Sequence, residues 1–132
     1  MKRKNQLIGF SLILVVMMLT FGACSSPTTT STTDVPDDAI IIVATVTIKD
    51  AADQADIEKA LFAVVDGTRT EKGNISYVLH QDINNPLSYT FIEVWKSKAA
   101  IEAHNASAHF KAFSAAVSGK TTARVTTAKK IR

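Results

Sequence analysis

The stretch whose reading decides the fold runs from Ile75 to Trp95: "ISYVLHQDINNPLSYTFIEVW". Its second part, Ser88 to Trp95, alternates cleanly. Tyr89, Phe91, Glu93 and Trp95 fall on one side and Thr90, Ile92 and Val94 on the other, which is the period of a strand. Ile75 to Gln81 alternates less regularly and reads as the partner strand. Between them, Asp82-Ile83-Asn84-Asn85-Pro86 is dense in turn-forming residues. The two strands therefore predict an antiparallel hairpin.

Upstream, Ile40 to Ile48 is β-branched almost throughout, as suits a buried strand, and Lys49 and Asp50 close it. Asp53 is placed to cap a helix in which Ile57, Leu61, Val64 and Val65 recur at helical spacing. Gly67 falls inside that pattern, so the helix either stops there or continues to about Lys72, with Gly73 as the breaker. Downstream, Ser97 caps a short Ala-rich helix through His104. Ser107 caps another, with Phe110, Phe113 and Val117 on one stripe and Gly119 ending it. Thr121 to Ile131 is a last strand, polar enough to lie at an edge or face a dimer partner. The order β-α-β-β-α-β defines an α+β, ferredoxin-like unit. Its sheet has one face without helices, and exposed apolar surface costs about 25 cal/mol per Å². A homodimer packed through those faces, a dimeric α+β barrel, is expected.

The 132 residues leave room for one domain, expected over 39–132. Residues 1–23 have the layout of a signal peptide: Lys2, Arg3 and Lys4, then an apolar run from Leu7 to Phe21, then Gly22 and Ala23. The run is short for a membrane span, which takes roughly 20 apolar residues. Phe21-Gly22-Ala23-Cys24 resembles the bacterial lipobox, with Phe21 where leucine is usual. That resemblance implies lipidation of Cys24, a membrane anchor through acyl chains and a place in the cell envelope. Ser25 after the cysteine implies outer-membrane sorting in a Gram-negative source. Residues 24–38 are rich in Ser, Thr, Pro and Asp and read as a flexible tether.

The net charge of +3 belongs to the leader: without Lys2, Arg3 and Lys4 the 15 basic residues fall to 12, matching the 12 acidic ones. No nucleic-acid partner is expected. The single cysteine excludes an intrachain disulfide and a cysteine-based metal site.

The segment "EKGNISYVLHQDINNPLSYTFIEVWKSKAAIEAHNASAHFKAF", Glu71 to Phe113, resembles the antibiotic biosynthesis monooxygenase superfamily, and within it the small quinol monooxygenase-like members. The matching features are Gly73-Asn74, Tyr77, the Asp82/Pro86 turn, Glu93-Val94-Trp95, Ser97 with Ala99, His104, and Ser107-Ala108-His109-Phe110. The resemblance implies an electron-rich aromatic substrate, such as a quinol, in an apolar pocket between sheet and helices. Such a substrate reduces O₂ itself after losing a proton, so no metal or other cofactor is implied. Fold does not fix chemistry, and the alternative is a non-catalytic module that binds a small ligand or a partner protein.

With the resemblance as guide, the candidate catalytic residues are His104, Asn74 and Trp95, and the candidate pocket residues are Tyr77, Glu93, His109 and Phe110. Histidine is the side chain whose ordinary protonation change falls near neutrality, which makes His104 and His109 candidates, although His109 could instead satisfy backbone at a helix start. Trp95 can contact substrate or simply fill the core. Glu93, flanked by Phe91 and Trp95, is paired structurally or holds a histidine in place. Asn74 and Tyr77 could orient a substrate oxygen. His80, His104 and His109 match no metal-ligand spacing, so no metal is expected. Heme-degrading relatives use an Asn on the first strand, which Ile40 to Ile48 lacks.

Overall fold

The computed structural model describes residues 35–132; the expected leader, Cys24 and most of the tether lie outside the described residues. Strand β1 (Ile40–Ile48) is followed by a 3₁₀ turn (Ala51–Asp53) and helix α1 (Gln54–Arg69). The hairpin β2 (Asn74–Gln81) and β3 (Ser88–Trp95) comes next, then α2 (Lys98–Ala106), α3 (Ala108–Val117) and β4 (Thr121–Lys129). The four strands form one antiparallel sheet in the order β2-β3-β1-β4. This is the expected ferredoxin-like order, with the second crossover divided into two helices.

The register aligns the inward side chains of neighbouring strands. Val46 lies opposite Tyr89, Ala44 opposite Phe91 and Ile42 opposite Glu93 on β1 and β3, and Tyr77 of β2 lies opposite Glu93. Ile57, Leu61, Val64 and Val65 of α1 are buried against this face, with Trp95, Phe91 and Phe113. Burying each such side chain contributes roughly 1.5–3 kcal/mol, so this face anchors the fold.

The helix ends differ from expectation in instructive ways. Asp53 makes no capping bond. The chain enters α1 through the extra 3₁₀ turn, which Asp50 caps by accepting from the Ala52 amide at 2.9 Å, and Asp53 instead pairs with Lys120 at 2.7 Å. Helix α1 runs through Gly67 to Arg69. Ser97 and Ser107 cap α2 and α3 as expected, each accepting a backbone amide three residues on at 3.2 Å. Strand β4 stops at Lys129, short of Ile131. The end of the expected tether is not free either: the Ala39 amide donates to Pro36 O at 3.0 Å, and Asp37 pairs with Lys130 at 3.0 Å.

The opposite face of the sheet carries no helix. Val43, Val78 and Ile92 are exposed there at 36–42%, among hydroxyl pairs such as Thr45 with Thr90. Among the described residues, no helix is long and apolar enough to cross a membrane.

Gly67 shows how closely the helices pack. A Cβ at this position would stand 2.6 Å from Cγ of His109, whose ring lies on the α1 backbone. Gly67→Ala should therefore destabilise the fold by about 1–3 kcal/mol through overpacking, against the roughly 1 kcal/mol that alanine gains in an open helix. Urea denaturation measures the sign, and a net gain would show that the His109 ring gives way freely.

Candidate active site

Helix α1 packs against β2 and α2 against β3, whereas nearly all residues of β4 are exposed. A cavity of about 390 Å³ lies between the sheet and helices α2 and α3, a size in the range of small-molecule sites. Its floor is Ile42, Ala44 and Val46 of β1, Phe91 and Glu93 of β3, and Tyr77 of β2. Ile101, His104 and Asn105 of α2, with Phe110 and Phe113 of α3, form the roof, and Ala123, Val125 and Thr127 of β4 form the remaining side.

Few polar groups reach this apolar space. Glu93 is 6% exposed, and its Oε2 accepts the indole N–H of Trp95 at 2.8 Å. Burial raises the Glu93 pKa and the Trp95 N–H only partly offsets it. Removing water penalises the ionised carboxylate more than one donor restores. Burial, then the nearby Glu93 charge, also pushes the Tyr77 phenol up. His104, 3% exposed, is enclosed by the rings of Trp95, Phe110 and Tyr77, with centroids 4.7–5.7 Å away. Burial lowers its pKa, while a hydrogen bond from Nδ1 to Glu71 Oε1 at 3.1 Å acts against that shift. That bond directs one ring nitrogen outward and leaves Nε2 as the nitrogen able to serve the cavity.

The expected residues divide by this geometry. His104, Tyr77, Glu93 and Phe110 line the cavity. Trp95 and Asn74 do not line it. Trp95 is wholly buried and holds Glu93. Asn74 sits at an irregularity of the β2–β3 ladder and donates its side-chain amide to Ser76 O at 3.1 Å. His109 leaves the pocket set too, and it does not satisfy backbone. It lines a separate cleft with Glu71, and its buried Nε2 lies 2.7 Å from Glu71 Oε1 without hydrogen-bond geometry. His80 is exposed on β2, beside Thr90 O.

Glu71, the partner of both histidines, carries no signal in the spacing, since 33 residues separate it from His104. Its only hint is its place at the head of the resembling segment. Asn105, Ile101 and Phe113 also line the cavity without being among the expected pocket residues. Phe113 was legible as part of an apolar stripe, but whether a stripe meets core or cavity depends on which strand lies beneath it.

Comparison with known proteins agrees with this architecture. The family model described as "Antibiotic biosynthesis monooxygenase" matches residues 39–116. The chain belongs to that family. It is 30% identical over 74 residues to YcnE of Bacillus subtilis (strain 168), provisionally named a monooxygenase, covering 56% of this chain and 77% of that protein. The crystal structure of PA3566 from Pseudomonas aeruginosa superposes with a TM-score of 0.67 at 28% identity, covering 71% of this chain and 95% of that one. SnoaB of Streptomyces nogalater, a cofactor-independent oxygenase solved as an N63A mutant, shares the fold at a TM-score of 0.63 and 19% identity, covering 72% and 95% of the two chains.

The buried Glu93 predicts a pH signature. Its folded pKa is raised, so its favourable contribution to stability is complete below the ordinary glutamate value and is lost as pH rises through the folded value. Glu93→Gln should therefore gain thermal stability relative to the parent as pH climbs through that window. Melting temperatures of both proteins across the acid range check this, and a constant difference would mean that Glu93 titrates as if exposed.

Proposed function

We propose that this chain is a cofactor-independent monooxygenase of small phenols or quinols. The observation that carries this reading is the cavity of about 390 Å³, walled by aromatic and aliphatic side chains and served by Glu93, Tyr77 and His104. A single aromatic ring with one or two substituents suits that volume. Glu93, with its affinity for protons raised by burial, takes the phenolic proton, and Trp95 keeps its carboxylate in place. A neutral His104 offers a hydrogen bond to the resulting phenolate. The deprotonated ring then supplies electrons to O₂. One oxygen atom is inserted at a ring carbon, which becomes a carbonyl, and the hydrogen of that carbon and the phenolic proton leave with the other oxygen atom as water. A phenol thereby becomes a quinone, with four electrons passing to O₂. The apolar wall excludes bulk water from the electron-rich intermediate.

The same reading includes a homodimer closed over the exposed sheet face around Val43, Val78 and Ile92. It also includes anchorage in the cell envelope through Cys24, supported by the leader pattern of residues 1–24.

Purified protein incubated with a panel of hydroquinones and naphthols should consume O₂ and form quinone. Glu93→Gln should lower the rate by about 10²–10⁴-fold, the usual range for a general base. An O₂ electrode and quinone absorbance follow the reaction. Uptake at the buffer rate throughout the panel would leave a ligand-binding role for the cavity. In solution, light scattering should give twice the chain mass, and Ile92→Lys should return it to one.

A further inference from the structure

We propose that Glu71, His104 and His109 form a binding site for one divalent first-row transition ion of the zinc class, beneath the cavity wall and open to the outer cleft. The three side chains come from three elements: the segment after α1, α2, and the start of α3. One donor atom from each lies within 4.8 Å of the others. Glu71 Oε1 is 3.1 Å from His104 Nδ1 and 2.7 Å from His109 Nε2. With metal–ligand bonds of about 2.0–2.2 Å in a tetrahedral shell, neighbouring ligand atoms around such an ion stand roughly 3.3–3.6 Å apart. The edge from Glu71 to His104 is thus already close to length, and the edge from Glu71 to His109 has to open by about half an ångström. The remaining edge joins the two imidazoles, and it closes by a swing of His109, the ring that holds no directed bond.

His109 Nε2 is buried without a hydrogen-bond partner although a carboxylate oxygen lies 2.7 Å away. A buried imidazole nitrogen left in this state is destabilising. A metal ion removes the cost by using the lone pair.

The donor set also limits the ion. Two imidazoles and one carboxylate suit zinc and its neighbours in the first transition row rather than calcium or magnesium, which take oxygen. Three protein ligands leave a coordination position for water or ligand. That position has access from the cleft, which Glu71 and His109 share with Ser107 and the exposed Lys72. Coordination through Nδ1 fixes His104 with its proton on Nε2, so the ion would set the tautomer that the cavity meets.

The test needs no turnover, so its outcome is separate from that of the oxygenase reading. Co²⁺ is titrated into the full chain, without a histidine tag and with Cys24→Ser to remove its single thiol. One equivalent should bind, with the visible absorption of low-coordinate cobalt, and Zn²⁺ should displace it and raise the melting temperature. Glu71→Gln and His109→Gln should each weaken binding by more than the roughly 10–100-fold that outer-shell groups cost, whereas His80→Gln should change nothing. Far-UV circular dichroism checks folding. If Glu71→Gln does not fold, His109→Gln decides, since that side chain is 26% exposed. No binding by the folded protein, or undiminished binding in His109→Gln, overturns the proposal and leaves the trio as a hydrogen-bonded cluster.

Discussion

The break at Ser107 is the constraint on which the site depends. Its backbone is extended, with φ −68° and ψ 156°, and its hydroxyl caps α3 just as α2 ends. In an unbroken helix, residues five apart point about 140° away from each other, so His104 and His109 could not share a partner. The break turns α3 relative to α2, and both rings reach the same carboxylate oxygen of Glu71. It also brings Phe110 and Phe113 to the roof of the cavity. Gly67 belongs to the same arrangement, because the ring of His109 occupies the space where a side chain of α1 would stand.

Behind the cavity, the core and the chemistry are one layer. Phe91, Glu93 and Trp95 leave β3 on the same side, and all three are buried. Phe91 and Trp95 contribute apolar area, whereas Glu93 loses hydration and regains a single bond, from the Trp95 indole. A buried carboxyl of this kind is held in a state of high proton affinity by the surrounding fold. Trp95 therefore serves the site without touching the cavity, by fixing the group that does. The partly covered sheet supplies the remaining condition: if the helices reached β4, side chains would fill the space that a ligand needs.

The fold was legible because its signals are local. Alternation in Ser88–Trp95, the helical spacing of Ile57, Leu61, Val64 and Val65, and the caps at Ser97 and Ser107 each lie within one short window. The misreadings were local as well. Asp53 has the look of a cap because it adjoins the apolar pattern, whereas the inserted 3₁₀ turn moves capping to Asp50. Gly67 was ambiguous because its reason, the ring of His109, arrives from another helix.

The sequence by itself determined the element order, the inward face of the hairpin and the family resemblance from Glu71 to Phe113, since these follow from periodicity, turn chemistry and residue identity along the chain. The tertiary structure alone decided which candidates share a space. It placed His104, Tyr77, Glu93 and Phe110 on one cavity, left Trp95 and Asn74 outside its lining, and joined His109 to a Glu71 that no spacing had connected to it. The physical reason is that contacts across a sheet and between two crossovers depend on strand order and helix direction. Those are properties of the packed chain as a whole, and no short window of residues contains them.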